Sequence, residues 1–84
     1  MGVYFITFRS ITPAQQGEGL LRKKGYRSLL QRTPHWMQEN GCGYCLRVST
    51  GNVAEVTALL RRGNVPFRKV YRLMNSGDWE EMTL

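Results

Sequence analysis

Apolar positions recur along this chain at two periods, and they divide it into six elements. Val3 to Phe8 is rich in aromatic and β-branched residues and reads as a buried strand. Thr12-Pro13-Ala14-Gln15 reads as a helix start, with Thr12 as N-cap, Pro13 in the first helical position and Gln15 closing a capping box. Ala14, Gly17 and Leu21, with Leu20 beside them, form the apolar stripe of that helix, and Gly25 stops it. Tyr26 to Arg32 predicts a second strand, and Thr33 to Gly41 a loop carrying Pro34, His35, Trp36 and Met37. Tyr44 to Val48 predicts a third strand. Asn52 caps a second helix with Glu55 at its third position, Val53, Val56, Leu59 and Leu60 recur at helical spacing, and Gly63 ends it. Phe67 to Leu73 alternates as a fourth strand before Asn75-Ser76-Gly77-Asp78 breaks the pattern.

The order is β-α-β-β-α-β, and both helices close on Leu-Leu, basic residues and glycine. The expected fold is α+β and ferredoxin-like, with two helices on one face of a four-stranded antiparallel sheet. Residues 1–74 form the expected single domain, and 75–84 an acidic C-terminal tail. The sheet's other face must meet solvent, a partner or the tail. Trp79 gives that tail an apolar anchor for docking on its own domain or on a homodimer mate.

Eighty-four residues suit one domain with a modest core. No apolar run approaches the roughly 20 residues that span a bilayer, and Met1-Gly2-Val3-Tyr4-Phe5 lacks a signal peptide's basic start, so no membrane partner is expected. The expected location is cytoplasmic, where thiols stay reduced. Net charge is +6, and all twelve Lys and Arg lie between Arg9 and Arg72, whereas three of the six acids fall in the last seven residues. Such a body attracts anions and acidic proteins. Two of its clusters, Arg22-Lys23-Lys24 and Arg61-Arg62, end helices, where the helix dipole already favours cations. That local role ranks nucleic acid behind a protein partner.

The candidate chemistry is in Cys42-Gly43-Tyr44-Cys45, which holds both cysteines of the chain in a CxxC. Two thiols at this spacing can form a disulfide, hold half of a metal site, or pair a reactive thiolate with a resolving one. The motif opens a strand rather than a helix, so it lacks the dipole that activates a thioredoxin thiol. Backbone amides around Gly41 and Gly43, and the cations Arg32, Arg47 and protonated His35, are the candidates for stabilising a Cys42 anion. Alternation places Cys45 on the face of Arg47, opposite Tyr44, Leu46 and Val48. Cys42, Cys45 and His35 are too few for a four-ligand zinc site in one chain, although two chains could supply four thiols from two CxxC pairs; no metal or cofactor is expected.

Several of these features together resemble a small bacterial family of selenium/sulfur carrier-like proteins. They are the strand ending Thr7-Phe8-Arg9-Ser10, the helix ending Lys24-Gly25, the Thr33-Pro34-His35 segment, and Cys42-Gly43 leading into Leu46-Arg47-Val48. The likeness covers about residues 3 to 73. Members of that family also occur fused to sulfurtransferase-like domains. The family position carried over is Cys42. The family commonly has an arginine where this chain has His35, and many members have a small residue in place of Cys45.

The resemblance implies a sulfur or selenium carrier, or a sulfurtransferase accessory, rather than a stand-alone enzyme. Cys42 would hold the cargo as a persulfide, Cys45 would resolve it, and the partners would be proteins of sulfur or selenium transfer. The alternative is a non-catalytic module binding RNA or an acidic protein through a basic sheet face. Tyr4, Phe5 and Phe8 are aromatic, but the third strand lacks the glycine- and aromatic-rich pattern of RNA-binding sheets.

Overall fold

The computed structural model describes residues 2–34 and 43–83. Seven elements follow one another: β1 (Gly2–Phe8), α1 (Ile11–Lys23), β2 (Ser28–Arg32), β3 (Tyr44–Thr50), α2 (Val53–Arg62), β4 (Val70–Leu73) and β5 (Trp79–Met82). All strand pairs are antiparallel, in the order β2-β3-β1-β4-β5. The fold is α+β as expected. The four-stranded, ferredoxin-like expectation needs correction, because the sheet has five strands. The fifth comes from the tail: Gly77 adopts φ +91, its N–H donates to the Met74 carbonyl (2.9 Å), and the chain turns back to pair Trp79 with Leu73.

Burial follows from the two periods. Ile6, Phe8, Leu46, Val48 and Val70 point to the helix side of the sheet, where they meet Ala14 and Leu21 of α1 and Val53, Val56 and Leu60 of α2. On the helix-free side a smaller cluster forms from Phe5 and Cys45, with Tyr71 and Trp79 packed against it. Trp79 stacks on Phe5 with centroids 4.3 Å apart and planes 11° off parallel. The tail thus covers part of the face the helices leave bare.

Local chemistry sets the helix ends. α1 begins at Ile11, with Ser10 in the N-cap position and no side-chain cap, so the expected Thr12 cap is not formed and Pro13 stands third in the helix. Pro13 is tolerated there because first-turn N–H groups have no intrahelical acceptor. At the other end Gly25, at φ +84, and Tyr26 donate to the Arg22 and Leu21 carbonyls, a paired closure that needs a left-handed residue. α2 is capped as expected, Asn52 Oδ1 accepting from the Glu55 N–H at 3.2 Å.

α2 ends at Arg62 with Gly63 in the C-cap position, as expected. Asn64, not Gly63, is left-handed (φ 57), and Gly63 has φ −83. Gly63 also answers a packing need: a Cβ there would lie 2.6 Å from Leu20 Cδ2 of α1.

β4 is shorter than the predicted Phe67–Leu73. Pro66 has no N–H to give, and Thr7 faces both Arg68 and Lys69, donating to the Lys69 carbonyl while accepting from the Arg68 N–H, each at 2.8 Å. Two residues opposite one make a bulge. The Thr7 hydroxyl repairs the ladder by accepting the Lys69 N–H at 3.0 Å.

Candidate functional site

Phe8 pairs with Tyr44, and Tyr44 with Arg32, so the ends of β1 and β2 and the start of β3 form one row at one end of the sheet. One step beyond, the Thr33 N–H donates to the Gly43 carbonyl at 3.0 Å. The chain from Pro34 to Cys42 therefore joins two points held one hydrogen bond apart. A Cβ on Gly43 would lie 3.3 Å from both the Phe8 carbonyl oxygen and Thr33 Oγ1, so any larger residue crowds this junction. Cys42, His35 and Gly41 lie outside the described residues.

Cys45 is fully buried beside Phe5, on the face that alternation predicts. Its Sγ donates a weak hydrogen bond to the Arg32 carbonyl at 3.9 Å. Burial pushes the thiol up to about 11, against a smaller downward pull from a hydrogen bond with Thr33. With that value about one molecule in ten thousand carries the thiolate at pH 7. Cys45 in this setting packs, and its surroundings favour neither nucleophilic attack nor exchange.

The predicted cations are not brought together. Arg32 stands in the row at the loop base, its guanidinium 5.6 Å from the Tyr44 ring centre. Arg47 lies three residues farther along β3, about 10 Å at the usual strand rise. It pairs with Phe5 and Leu29 and shares the helix-free face with Cys45, whereas Arg32 shares the helix side with Tyr44. The structure adds Arg9, which follows Phe8 directly, and Arg68 and Lys69, tied to Thr7 on the neighbouring strand. Sequence reasoning missed these three because they reach this end only through the β1 register and the Thr7 bulge.

Two concavities of about 680 and 360 Å³ share Pro66, Phe67 and Arg68, and Arg61, Lys69 and Arg9 are among their other lining residues. Neither is lined by Arg32, Thr33, Gly43, Tyr44 or Cys45, so these two spaces stand apart from the Thr33–Gly43 junction. Among the described residues no three of His, Cys, Asp and Glu gather as metal ligands. None of the described helices is long and apolar enough to cross a membrane.

The aromatics expected to stack RNA bases are committed elsewhere. Tyr4 and Phe8 face the helices, and Phe5 is covered by Trp79.

Fold and site together define a small α+β domain in which Thr33 and Gly43 meet at one end of the sheet. The family model described as "Putative Se/S carrier protein-like" matches residues 3–72, and the chain belongs to that family. No curated protein and no solved structure matches it.

Proposed function

We propose that this protein carries sulfane sulfur, or selenium in the same role, on Cys42. The family match over residues 3–72 carries the reading. The Thr33–Gly43 hydrogen bond supports it, because it holds Gly43, the chain neighbour of Cys42, at the end of the sheet. In loading, the Cys42 thiolate attacks the outer sulfur of a donor persulfide, and the donor leaves as a thiolate. In delivery, an acceptor thiolate attacks that same outer sulfur, and Cys42 leaves as the thiolate. Each step makes one sulfur–sulfur bond and breaks one, so no outside oxidant or reductant is needed.

The Gly41 and Gly43 backbone, His35 and Arg32 hold the anion in this reading. Arg47, on the opposite face from Arg32, is the remaining candidate cation. Cys45 as resolving thiol would attack the inner sulfur, closing a disulfide and releasing hydrosulfide. Its burial and raised pKa make transfer to an external thiol the favoured route. Donor and acceptor are proteins, and the setting is the reducing cytoplasm.

The test is loading from a small persulfide donor, read by mass spectrometry of the intact protein and of its Cys42 peptide. The parent and Cys45→Ser should each gain one sulfur atom on Cys42, removable by reductant, and Cys42→Ser should gain none. Equal loading of all three would overturn the carrier reading.

A further inference from the structure

The two edges of the sheet differ. β5 is four residues long, and its carboxylates are engaged on the inward side: Glu80 pairs with Arg72 at 3.0 Å and Glu81 with Lys69 at 3.3 Å. β2, at the other edge, pairs only with β3 among the described residues. It contains no proline, and at its centre Leu29 is 57% exposed, the most exposed of the large apolar side chains in the described residues.

An edge strand offers a row of backbone donors and acceptors to another chain unless something blunts it. Here Arg27 and Arg32, both exposed, flank the strand, and Arg47 pairs with Leu29 on the helix-free face. From Arg22 to Pro34 the chain carries five cations and no acid.

We infer that β2 is a docking strand for an extended acidic segment of the protein that exchanges cargo with Cys42, an inference that rests on the carrier reading. A segment added beside β2 completes its hydrogen bonds, and period-two geometry then dictates the side chains. An apolar residue opposite Leu29 covers it, a carboxylate two positions away meets Arg27 on the same face, and a carboxylate opposite Arg32 meets that guanidinium on the other. The strand leads through Arg32 into Thr33 and the Gly43 clamp, so a segment bound here lies at the root of the Cys42 loop.

Charge selects this occupant over a second copy. Two copies would bring together two +6 chains through the same arginine-flanked strand. RNA is disfavoured because Phe5, an aromatic at the centre of this face, is already stacked under Trp79.

The probe is a blocked octapeptide, Thr-Glu-Thr-Thr-Val-Thr-Glu-Thr, titrated into the full chain and followed by backbone amide chemical shifts. Shifts should concentrate on residues 27–32, and affinity should fall at least threefold between low salt and 0.5 M salt, a screening on the order expected for exposed ion pairs. Leu29→Asp, at an exposed site that leaves the fold intact, should weaken binding at least tenfold. A peptide with proline in place of the central valine should not bind. Equal binding by a peptide with lysine for both glutamates would overturn the inference. So would an oligouridylate occupying residues 27–32 instead, or sedimentation showing that these residues self-associate. Persulfide loading from the small donor does not use Leu29 and should be unchanged in Leu29→Asp. A failed peptide titration with normal loading therefore sinks the docking strand alone, whereas failed loading of the parent sinks the carrier reading and with it the cargo-exchanging partner.

Discussion

At the scale of single residues, Cys45 is the cysteine of the motif whose surroundings the structure describes. Cys45 is placed by strand alternation, and its parity was legible in the sequence. Its inertness was not, because Phe5 comes from a different strand and Trp79 from the tail. The raised pKa has a stability consequence with a definite sign. Below about pH 9 the thiol is protonated both folded and unfolded, and its contribution is fully present. Between about pH 9 and 11 the unfolded chain ionises while the folded one does not, so stability falls across that window. Cys45→Ala should remove this alkaline loss while costing about 1–2 kcal/mol at neutral pH from the vacated volume. Urea melts from pH 7 to 11.5 would show it. A parent curve no steeper than the variant's above pH 9 would mean that the thiol is not buried in solution. Cys42 should behave differently, alkylating near neutral pH far faster than Cys45 in the single Ser variants.

At the scale of elements, the helices and their buried stripes were legible because each signal is local. Asn52 reaches only to Glu55, and Ala14, Gly17 and Leu21 repeat within one helix. What escaped depends on a neighbour. Gly63 ends α2 as the sequence predicts, but that Asn64 takes the left-handed position and that Gly63 also makes room for Leu20 was not legible. Gly63→Ala should therefore destabilise by up to about 1 kcal/mol, since the end of the Leu20 side chain must move to admit the methyl. Gly19→Ala, in the middle of α1 with nothing within 4 Å of the new Cβ, should instead stabilise by about 0.5–1 kcal/mol. Thermal melts of the two variants should move in opposite directions. A stabilising Gly63→Ala would mean that the helices do not pack as closely as Leu20 implies.

At the scale of the molecule, the tail decides how much of the helix-free face stays covered. In the sequence, 75–84 is an acidic end with one tryptophan. Its strand character was hidden because Trp-Glu-Glu-Met is too short to show alternation, and only the Gly77 turn brings it beside β4. The exposed pairs Arg72–Glu80 and Lys69–Glu81 contribute at most about 1 kcal/mol each, so the Trp79–Phe5 stack and the β4–β5 ladder must supply most of the binding. Truncation after Met74 should then cost about 2–4 kcal/mol, which in a domain of this size lowers Tm by at least about 8 °C. It should also uncover Phe5 and raise the alkylation rate of Cys45, because the thiol loses cover that keeps it protonated. Asp78→Asn, whose carboxylate meets only the Ser76 hydroxyl at an exposed turn, should change stability by less than about 0.5 kcal/mol. Trp79→Ala separates the two contributions: it should reproduce most of the rise in Cys45 reactivity while retaining part of the stability that the β5 ladder provides. A truncated chain that melts like the parent with Cys45 still unreactive would show that Phe5 and Tyr71 alone cover the thiol, and that the fifth strand adds nothing to the fold.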